Sequence, residues 1–468
     1  MRRIVALLAA FVLVLAMAGV SLARSQNGTI GINVVLNTDV TDAHLAQLGS
    51  HGRVRDVLHS IDAVTMQAKA SALPDIRQLP FVSAANPDAI RNGAPIDTVS
   101  ADDFENGFNT WDLDAVNVTD FGAGRTESFT GNGVYVAVLD TGLMDSWRQY
   151  FPEQRIAEQY AIAFGGGGGE VGSVSTQPNK WEHDTHGHGT HVSSTIIGYS
   201  LRGTPINGVA PGATIIPVKV LNQNGSGWSS VVARGIEYVA ELKEGPLSGH
   251  PVVINMSLGG PVLDAVEQAA IDRAIDAGVI VVASAGNNGA DGMGFPGAYE
   301  PVISAAASGW IGEWTNAAGT EFANNWWNAK NVADPTDADD FYIADFSSRE
   351  LAGQDLDVAA PGSWVVGPFQ LQQGKTSYFF LGGTSMASPH VAGIAALMAE
   401  KNGTLDAPAV EAILEGSAIP FDFGGGTELC RSVFDVITFS VVDFCFGPDA
   451  TGSGLATADA ALSMTPAP

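Results

Sequence analysis

Between residues 134 and 400 the chain alternates apolar runs of strand length with longer segments whose apolar residues recur at helical spacing. This alternation predicts parallel strands joined by right-handed crossovers, with helices on both faces of the sheet. The predicted strands cover residues 134–139, 214–220, 251–256, 278–284 and 301–306, and the predicted helices cover residues 188–198, 229–243, 263–276 and 385–400. We therefore expect an α/β fold with a doubly wound parallel sheet.

A second, smaller pattern precedes the first, between residues 28 and 92. It predicts six elements in the order β-α-β-β-α-β, which is the ferredoxin-like arrangement. The predicted strands are Thr29 to Leu36, Val54 to Ile61, Ala63 to Ala68 and Phe81 to Ala85, and the predicted helices are Thr41 to Leu48 and Ala72 to Leu79. We expect a small α+β domain ahead of the larger one.

The first 23 residues have the pattern of an export signal. Met1-Arg2-Arg3 precedes an apolar run from Ile4 to Val20, and Ser21-Leu22-Ala23 supplies the small residues of a cleavage site. The run is close to the ~17-residue lower bound for a membrane span, so an uncleaved anchor is the alternative. We expect a signal peptide at 1–23, secretion of the protein, and no membrane attachment after its removal.

Acidic residues outnumber basic ones by 50 to 22, which gives a formal net charge of −28. Such a surface would repel phosphate, so the composition argues against a nucleic-acid partner. Two cysteines occur, Cys430 and Cys445, both near the C-terminus. In an oxidising compartment they would pair and close a loop, and neither lies in a nucleophile motif.

Three segments far apart in the chain each place one reactive side chain at a structural boundary. Asp140 ends an apolar strand-like run. His188 begins a helix-like stretch after glycines, and Ser385 opens an apolar helix after Gly382-Gly383. A serine hydroxyl becomes a nucleophile when an imidazole acts as general base and a buried carboxylate orients that imidazole. A lone serine there would be only a helix N-cap, but the three residue types together favour nucleophilic catalysis.

These segments resemble the motifs of the subtilisin-like serine peptidases, whose triad residues follow one another in the order Asp, His, Ser. The serine motif matches from Gly382 to Gly393. The histidine motif matches from His188 to Val192 and continues with Ser193-Ser194 where the family usually has Ala-Gly. The resemblance assigns the base to His188 because this histidine directly precedes Gly-Thr-His; spacing alone does not choose among the neighbouring histidines.

The resemblance extends to the group that would stabilise the oxyanion. The stretch Ala283 to Gly289 matches the family segment that carries an asparagine donor, which implies this role for Asn287 together with the Ser385 backbone N–H. Taken alone, Asn287-Asn288-Gly289 would indicate only a turn.

The resemblance also implies a cleft in which an extended substrate pairs its backbone with the enzyme. The implied substrate-binding residues are Gly225, Gly227, Ser257, Leu258 and Gly259, and the implied pocket positions are Ser284, Asn288 and Phe295. None of these pocket positions is charged, so we expect hydrolysis after apolar or aromatic residues. Substrates would be proteins or peptides, and catalysis would need no cofactor.

The small domain resembles the family's inhibitory propeptide, which also templates folding. The expected organisation is a signal peptide at 1–23, a propeptide domain at 24–92, a linker with the processing site at 93–110 and a peptidase domain at 111–468. The propeptide would act as an intramolecular inhibitor, and we expect a monomer. An unrelated N-terminal binding domain is the alternative.

The same residues also fit other functions. A cluster of imidazoles and a carboxylate suited to zinc would indicate a metal-dependent hydrolase. Its members are His183, Asp184, His186, His188 and His191. Asp140-Thr141-Gly142 resembles an aspartic-peptidase motif, but the chain has no second copy to share the proton. A secreted binding protein on an inactive scaffold is disfavoured because every catalytic position is filled.

The segment Trp310 to Asp340 is longer than the compact family core requires. It carries four tryptophans followed by four aspartates: Trp310, Trp314, Trp326, Trp327, Asp334, Asp337, Asp339 and Asp340. We expect a packed structural insertion. Shaping of the cleft, or binding of structural calcium through the aspartates, is the alternative.

Overall fold

The computed structural model describes residues 28–100, 110–120, 124–166, 174–201, 203–316, 318–319, 321–323, 326, 330–369 and 377–468. The predicted signal peptide, Trp327 and residues 101–109 of the predicted linker lie outside these ranges. Among the helices in these ranges, none has the length and apolar character needed to cross a bilayer.

Residues 29–87 form a four-stranded sheet with two short helices. The elements are β1 (Thr29–Leu36), α1 (Asp42–Gly49), β2 (Gly52–Leu58), β3 (Ala63–Lys69), α2 (Leu73–Arg77) and β4 (Val82–Pro87). The strand order is β2-β3-β1-β4, and all pairings are antiparallel. Side chains alternate between the faces of a strand, so Ile32 and Val34 enter a small core of their own. Asn33, on the opposite face, is buried against the larger part of the chain.

Two short strands, β5 (Ile90–Asn92) and β6 (Asp97–Ser100), lead from this sheet into the larger part of the chain. The helices there are α3 (Trp111–Ala115), α4 (His188–Ile197), α5 (Ser229–Glu244), α6 (Ala265–Asp276), α7 (Thr384–Lys401), α8 (Ala407–Ser417) and α9 (Ala458–Met464). The strands there are β7 (Tyr135–Asp140), β8 (Ile162–Gly165), β9 (Ser175–Thr176), β10 (Tyr199–Leu201), β11 (Thr204–Ile206), β12 (Thr214–Lys219), β13 (Ser226–Trp228), β14 (Val252–Met256), β15 (Val279–Ser284), β16 (Ile303–Trp310), β17 (Phe341–Ile343), β18 (Val358–Pro361), β19 (Val365–Pro368), β20 (Tyr378–Gly382), β21 (Leu429–Asp435) and β22 (Ser440–Phe446).

The central sheet has the strand order β17-β16-β15-β14-β7-β12-β8-β9, with β18 paired to β16. Its interior pairings are parallel, and the two edge pairs, β16 with β17 and β8 with β9, are antiparallel. The predicted strands and helices of this part are confirmed apart from their end residues, and so is the mostly parallel sheet. Because β7 lies in the middle, its carboxyl end opens at the centre of one sheet edge.

Strand β7 shows how helices come to cover both faces of the sheet. Val136 and Val138 pack into the core that contains α4 and α7, whereas Ala137 and Leu139 pack into the core that contains α5 and α6. Both sets are fully or almost fully buried, which explains why the strand is a continuous apolar run rather than an alternating one.

The insertion at 310–340 contributes mainly to packing. Trp310, Trp314 and Trp326 are buried, and the Trp314 ring lies 4.9 Å from the ring of Phe380. Its four aspartates do not all meet at one point. Asp339 pairs with Arg431, Asp337 accepts from the Asp339 N–H, and Asp334 lies near Asp114 and Asp120.

Strands β21 and β22 form a hairpin in which Cys430 and Cys445 stand opposite each other and form a disulfide. Val433 and Phe446 anchor the hairpin because both side chains are buried in the main core. The disulfide therefore closes a 15-residue separation that backbone pairing and packing already hold together.

We predict that the double variant Cys430→Ser/Cys445→Ser folds but is less stable by at most ~3 kcal/mol, the chain-entropy value for a loop of this length. Denaturant unfolding of both proteins, with and without reductant, measures the difference. Reductant should lower the unfolding midpoint of the wild type and leave that of the variant unchanged. An identical midpoint for the oxidised wild type and the variant would contradict this estimate.

Candidate functional site

Asp140 is the last residue of β7 and lies fully buried at the carboxyl edge of the sheet. Its two carboxylate oxygens each lie 2.9 Å from Nδ1 of His188. Oδ1 also accepts a 2.6 Å hydrogen bond from the Thr141 N–H. The loops that follow parallel strands meet at this edge, which is where such folds place their sites.

His188 is the first residue of α4, and glycines on either side of it make its position possible. Gly187 has φ 89°, which favours glycine. A Cβ on Gly189 would lie 2.4 Å from the Gly142 carbonyl oxygen and 3.2 Å from Asp140 Oδ1. The start of α4 can therefore approach the end of β7 closely only because residue 189 has no side chain.

The hydrogen bond to Asp140 determines the state of the His188 ring. A carboxylate can only accept, so Nδ1 carries the hydrogen and the neutral ring has its lone pair on Nε2. That nitrogen is buried and has no hydrogen-bond partner among the described residues. His188 is therefore oriented as a general base with its basic nitrogen uncommitted.

Ser385 is the second residue of α7 and is almost fully buried. Its Oγ donates to the Ser257 carbonyl oxygen at 3.2 Å, while Ser257 Oγ donates to the Ser385 carbonyl oxygen at 2.8 Å. No hydrogen bond joins Ser385 to His188 in the described part of the chain. The two residues nevertheless border the same small space: a Cβ on Gly93 would lie 2.8 Å from that Ser257 oxygen and 3.5 Å from His188 Cε1.

Asn287 follows β15 and is held by the residue before Ser385. Its Oδ1 accepts from the Thr384 N–H and from Thr384 Oγ, each at 2.9 Å. A backbone N–H can only donate, so the amide oxygen must face Thr384 and the amide nitrogen must point away from it. Within the described residues Asn287 Nδ2 has no acceptor. The Ser385 N–H, in the first turn of α7, is also free of an intrahelical acceptor.

The chain's own residues 90–100 run through the cleft as the two short strands β5 and β6, joined by residues 93–96. Strand β5 pairs antiparallel with β13, and Asn92 exchanges two 2.9 Å backbone hydrogen bonds with Gly259. Gly93 N donates to the Gly225 carbonyl at 2.8 Å, and Ile96 N donates to the Gly382 carbonyl at 2.7 Å. Strand β6 then pairs with β20. The predicted substrate-binding segments, with Gly227 paired to Arg91, therefore contact a backbone strand.

A cavity of about 550 Å³ lies where this strand passes Ser385. It is lined by Ala94, Pro95, Ile96, Gly259, Ser284, Asn287, Asn288, Asp291 and Ser385, among others. Leu258 is buried, and its carbonyl oxygen accepts from Ser284 Oγ at 3.4 Å. Phe295 is not part of the lining; its backbone N–H and C=O both pair with Gly260. Asp291, which belongs to none of the predicted motifs, adds an exposed carboxylate at the mouth of the cavity.

Two other histidines of the cluster, His186 and His191, have lowered pKa values. Burial, and then the neighbouring His188, lower the pKa of His186 to about 4 and that of His191 to about 3. His191 Nε2 donates to the Val365 carbonyl at 3.2 Å. In the part of the chain that the structure describes, no metal-type grouping includes a histidine.

Asp184 has a supporting role that its place in the histidine-rich motif does not indicate, since that motif suggests only a metal ligand. It accepts from the backbone N–H groups of His186 and Gly187 and from Thr141 Oγ, and Thr141 Oγ in turn accepts from Gly189 N. Burial raises the pKa of Asp184 to about 6. This network joins the loop before α4 to the end of β7, so it fixes the distance between His188 and Asp140.

Three carboxylates lie close together where the insertion at 310–340 packs against residues 110–120. Oxygens of Asp114, Asp120 and Asp334 lie within 4.8 Å of one another. Asp114 is 2% exposed; one oxygen accepts from the Val332 N–H at 2.9 Å, and the other has no partner within the described residues. Burial, with Asp334 and Asp120 acting in the same direction and the Val332 N–H acting against it, raises the pKa of Asp114 to about 7. Clustered carboxylate oxygens of this kind suit calcium.

Comparisons with known proteins agree on one family. The subtilase family model matches residues 131–448, more than half of the chain. The chain is 34% identical over 268 residues to a thermostable alkaline protease of Halalkalibacterium halodurans, covering 57% of each protein. It is also 34% identical over 298 residues to subtilisin DY of Bacillus licheniformis, covering 63% of this chain and 86% of that relative.

Solved structures show the same fold. Fervidolysin from Fervidobacterium pennivorans, described as a keratinolytic enzyme related to subtilisin, matches with a TM-score of 0.64 at 24% identity, over 94% of this chain and 62% of that one. Sphericase matches with a TM-score of 0.52 at 26% identity, over 74% of this chain and 97% of that one. With its subtilisin-like fold and this family match, the chain belongs to the subtilase family.

Proposed function

We propose that this protein is a secreted serine endopeptidase that hydrolyses peptide bonds through an acyl-enzyme. The observation that carries the proposal is the buried pair of Asp140 and His188, with an uncommitted Nε2 beside a cleft that holds backbone as a β-strand. Catalysis would need no cofactor, substrates would be proteins or peptides, and the enzyme would act as a monomer.

In the proposed reaction Ser385 Oγ attacks the substrate carbonyl carbon and its proton passes to His188 Nε2. Asp140 stabilises the resulting imidazolium through Nδ1. The C–N bond then breaks, and the imidazolium gives its proton to the leaving amine. A water molecule attacks the acyl-enzyme next, and His188 takes a proton from that water and returns it to Ser385. The Ser385 hydroxyl donates to the Ser257 carbonyl in this structure, so it would have to turn from that oxygen to donate to His188.

Negative charge on the carbonyl oxygen would be stabilised by Asn287 Nδ2 and the Ser385 N–H. This charge exists only in the transition state, so donors held ready for it lower the barrier without tightening substrate binding. The two hydrogen bonds from Thr384 keep the Asn287 amide in the required orientation.

A substrate would bind as the chain's own residues 90–96 do, between Gly225–Gly227 and Ser257–Gly259. The cavity beside Ser284 and Asn288 would take the side chain before the scissile bond, and we retain a preference for apolar or aromatic residues there. The carboxylate of Asp291 at the mouth is exposed to solvent, so it need not be desolvated by an apolar side chain.

We further propose that residues 24–92 are an inhibitory propeptide, that the linker 93–110 contains the processing site and that residues 111–468 are the peptidase domain. The β-α-β-β-α-β order and the strand order β2-β3-β1-β4 support a ferredoxin-like domain. The course of residues 90–100 through the cleft supports inhibition, because a bound strand excludes substrate. A cleaved signal peptide at 1–23 would account for secretion.

A proline in the segment that occupies the cleft would protect this segment from cleavage by the same molecule. Asn92 and Gly93 pair on one side of the cavity that Ser385 lines and Ile96 pairs on the other, so we assign the peptide bond next to the nucleophile to the middle of this stretch, Ala94–Pro95. The proline ring replaces the amide hydrogen with a carbon and restricts φ, which hinders proton delivery from His188 to this nitrogen. Processing is therefore expected at another bond of the linker.

We predict that Asn287→Ala lowers kcat by about 10²–10³, the range seen when a single oxyanion donor is removed from subtilisin, with little change in KM. Steady-state hydrolysis of a peptide ending in phenylalanine before the reporter measures both constants. Ser385→Ala, which should leave the fold intact and abolish turnover, is the matched control. Equal activity of the Ser385→Ala protein and the wild type would reject the proposed mechanism.

We predict that Pro95→Ala makes the bond after Ala94 cleavable in the folded chain. Intact-mass analysis should find a new fragment ending at Ala94, and the double variant Pro95→Ala/Ser385→Ala should lack it. If the Pro95→Ala protein hydrolyses added peptides while its own 94–95 bond remains intact, protection by proline is not the reason for the stability of this segment.

We predict that calcium stabilises the protein through Asp114, Asp120 and Asp334. At a calcium concentration 100 times the Kd, the expected gain is about 2.7 kcal/mol, read as a rise in Tm over the chelator-treated protein. Asp114→Asn should lose this rise. Asp337→Asn, an exposed aspartate of the same insertion outside the cluster, should retain it. An equal rise in the wild type and the Asp114→Asn protein would place the ion elsewhere.

A further inference from the structure

The strand in the cleft is held by a buried ion pair that the proposed catalytic machinery does not use. Arg91 and Glu267 are both 0% exposed. Arg91 Nε donates to the two Glu267 oxygens at 2.9 and 3.1 Å, and Arg91 Nη2 also contacts Glu267 Oε2. Nη2 donates to the Val262 carbonyl at 3.0 Å as well. The guanidinium thus meets a carboxylate in the forked geometry that arginine favours.

The position of Arg91 relative to Ser385 follows from the backbone pairing. With Ala94–Pro95 assigned as the peptide bond next to Ser385, Arg91 is the fourth residue on the N-terminal side of that bond. Its backbone pairs with Gly227, on the wall that would bind a substrate. The Arg91 side chain therefore occupies the place where a substrate's fourth residue before the scissile bond would lie.

The groups that bind the Arg91 side chain belong to the proposed peptidase domain and would remain after the propeptide leaves. Glu267 lies in the first turn of α6, and Val262 and Gly260 precede that helix. A Cβ on Gly260 would lie 2.1 Å from the Ile90 carbonyl oxygen and 2.9 Å from Arg91 Nη1, so residue 260 leaves just enough room for this strand. Every hydrogen bond described for the Glu267 carboxylate comes from Arg91.

A buried ion pair of this kind contributes more to the choice between substrate side chains than to the overall strength of binding. A buried ion pair adds little net stability compared with an apolar contact of the same size, but loss of one partner leaves a buried charge unpaired. A substrate without a cation at this position would bury Glu267 unsatisfied, and a lysine would supply only a point charge instead of a fork. Arginine alone satisfies both the carboxylate and the Val262 carbonyl.

We propose that Glu267 selects arginine as the fourth residue before the scissile bond in peptide and protein substrates, and that Arg91 of the propeptide occupies this subsite until processing. This inference rests on the proposed endopeptidase activity. The expected substrate carries arginine four residues before the cleaved bond and an apolar or aromatic residue directly before it.

The test uses processed wild-type enzyme and blocked peptides Xaa-Ala-Ala-Phe with a fluorogenic amine leaving group, where Xaa is arginine, lysine, glutamine or leucine. We expect kcat/KM for arginine to exceed that for leucine by at least ~10²-fold, with lysine between them. Equal kcat/KM values for the four peptides would overturn the inference and leave the proposed activity standing. Absence of any turnover that depends on Ser385 would instead overturn the proposed activity.

Variants locate the selecting group. Glu267→Leu should reverse the order of arginine and leucine, whereas Asp272→Asn, which removes an exposed carboxylate from the same helix, should leave it unchanged. If Glu267→Leu does not fold because Arg91 is left unpaired, Arg91→Leu/Glu267→Leu restores an apolar contact and is tested on the same peptides. Retention of the arginine preference in either folded leucine variant would show that Glu267 is not the selecting residue.

Discussion

The architecture of the site depends on one buried contact, the hydrogen-bonded pair of Asp140 and His188. Removing a carboxylate and an imidazole from water is costly unless each satisfies the other, so the pair persists only where the backbone holds both groups at the right separation. The end of β7 supplies the carboxylate and the start of α4 supplies the imidazole. Gly189 permits their approach, and the network of Asp184 and Thr141 fixes it.

Much of this arrangement could be predicted from the sequence because each reactive residue lies at a boundary with its own local pattern. Asp140 ends an apolar run, His188 follows glycines at a helix start, and Ser385 opens a helix that is buried over most of its length. The helices were predictable because apolar periodicity over ten or more residues is a strong local signal. The central strands were predictable because each is a short continuous apolar run bounded by turn residues.

Contacts between distant segments were not predictable in this way. Arg91 and Glu267 are 176 residues apart, and neither belongs to a pattern that indicates a partner. Asp334 was grouped with its sequence neighbours, yet it meets Asp114 and Asp120, because tertiary packing of the insertion decides which carboxylates approach. Phe295 was assigned to the pocket from its position in a motif, whereas its backbone pairs with Gly260 and its side chain does not line the cavity.

Residues 90–100 link the fold to the proposed chemistry, since the same backbone pairing that would hold a substrate holds this part of the chain. This segment thereby indicates where substrate backbone would run, which bond would face the nucleophile, and which substrate side chains the enzyme would recognise. This segment has an arginine that fits the cleft and, three residues further on, the alanine of the Ala94–Pro95 bond. Different residues would therefore supply binding to the cleft and resistance to cleavage.

The central claim is that Ser385 is a nucleophile activated by His188, and covalent labelling tests it most directly. Processed enzyme treated with a serine-directed phosphonate should gain one phosphonyl group, and peptide mass spectrometry should place it on Ser385. The His188→Ala protein, processed in trans by wild-type enzyme, should remain unlabelled. Absence of an adduct on Ser385 in protein whose cleft is free of its own strand, or equal labelling of the His188→Ala protein, would contradict the account.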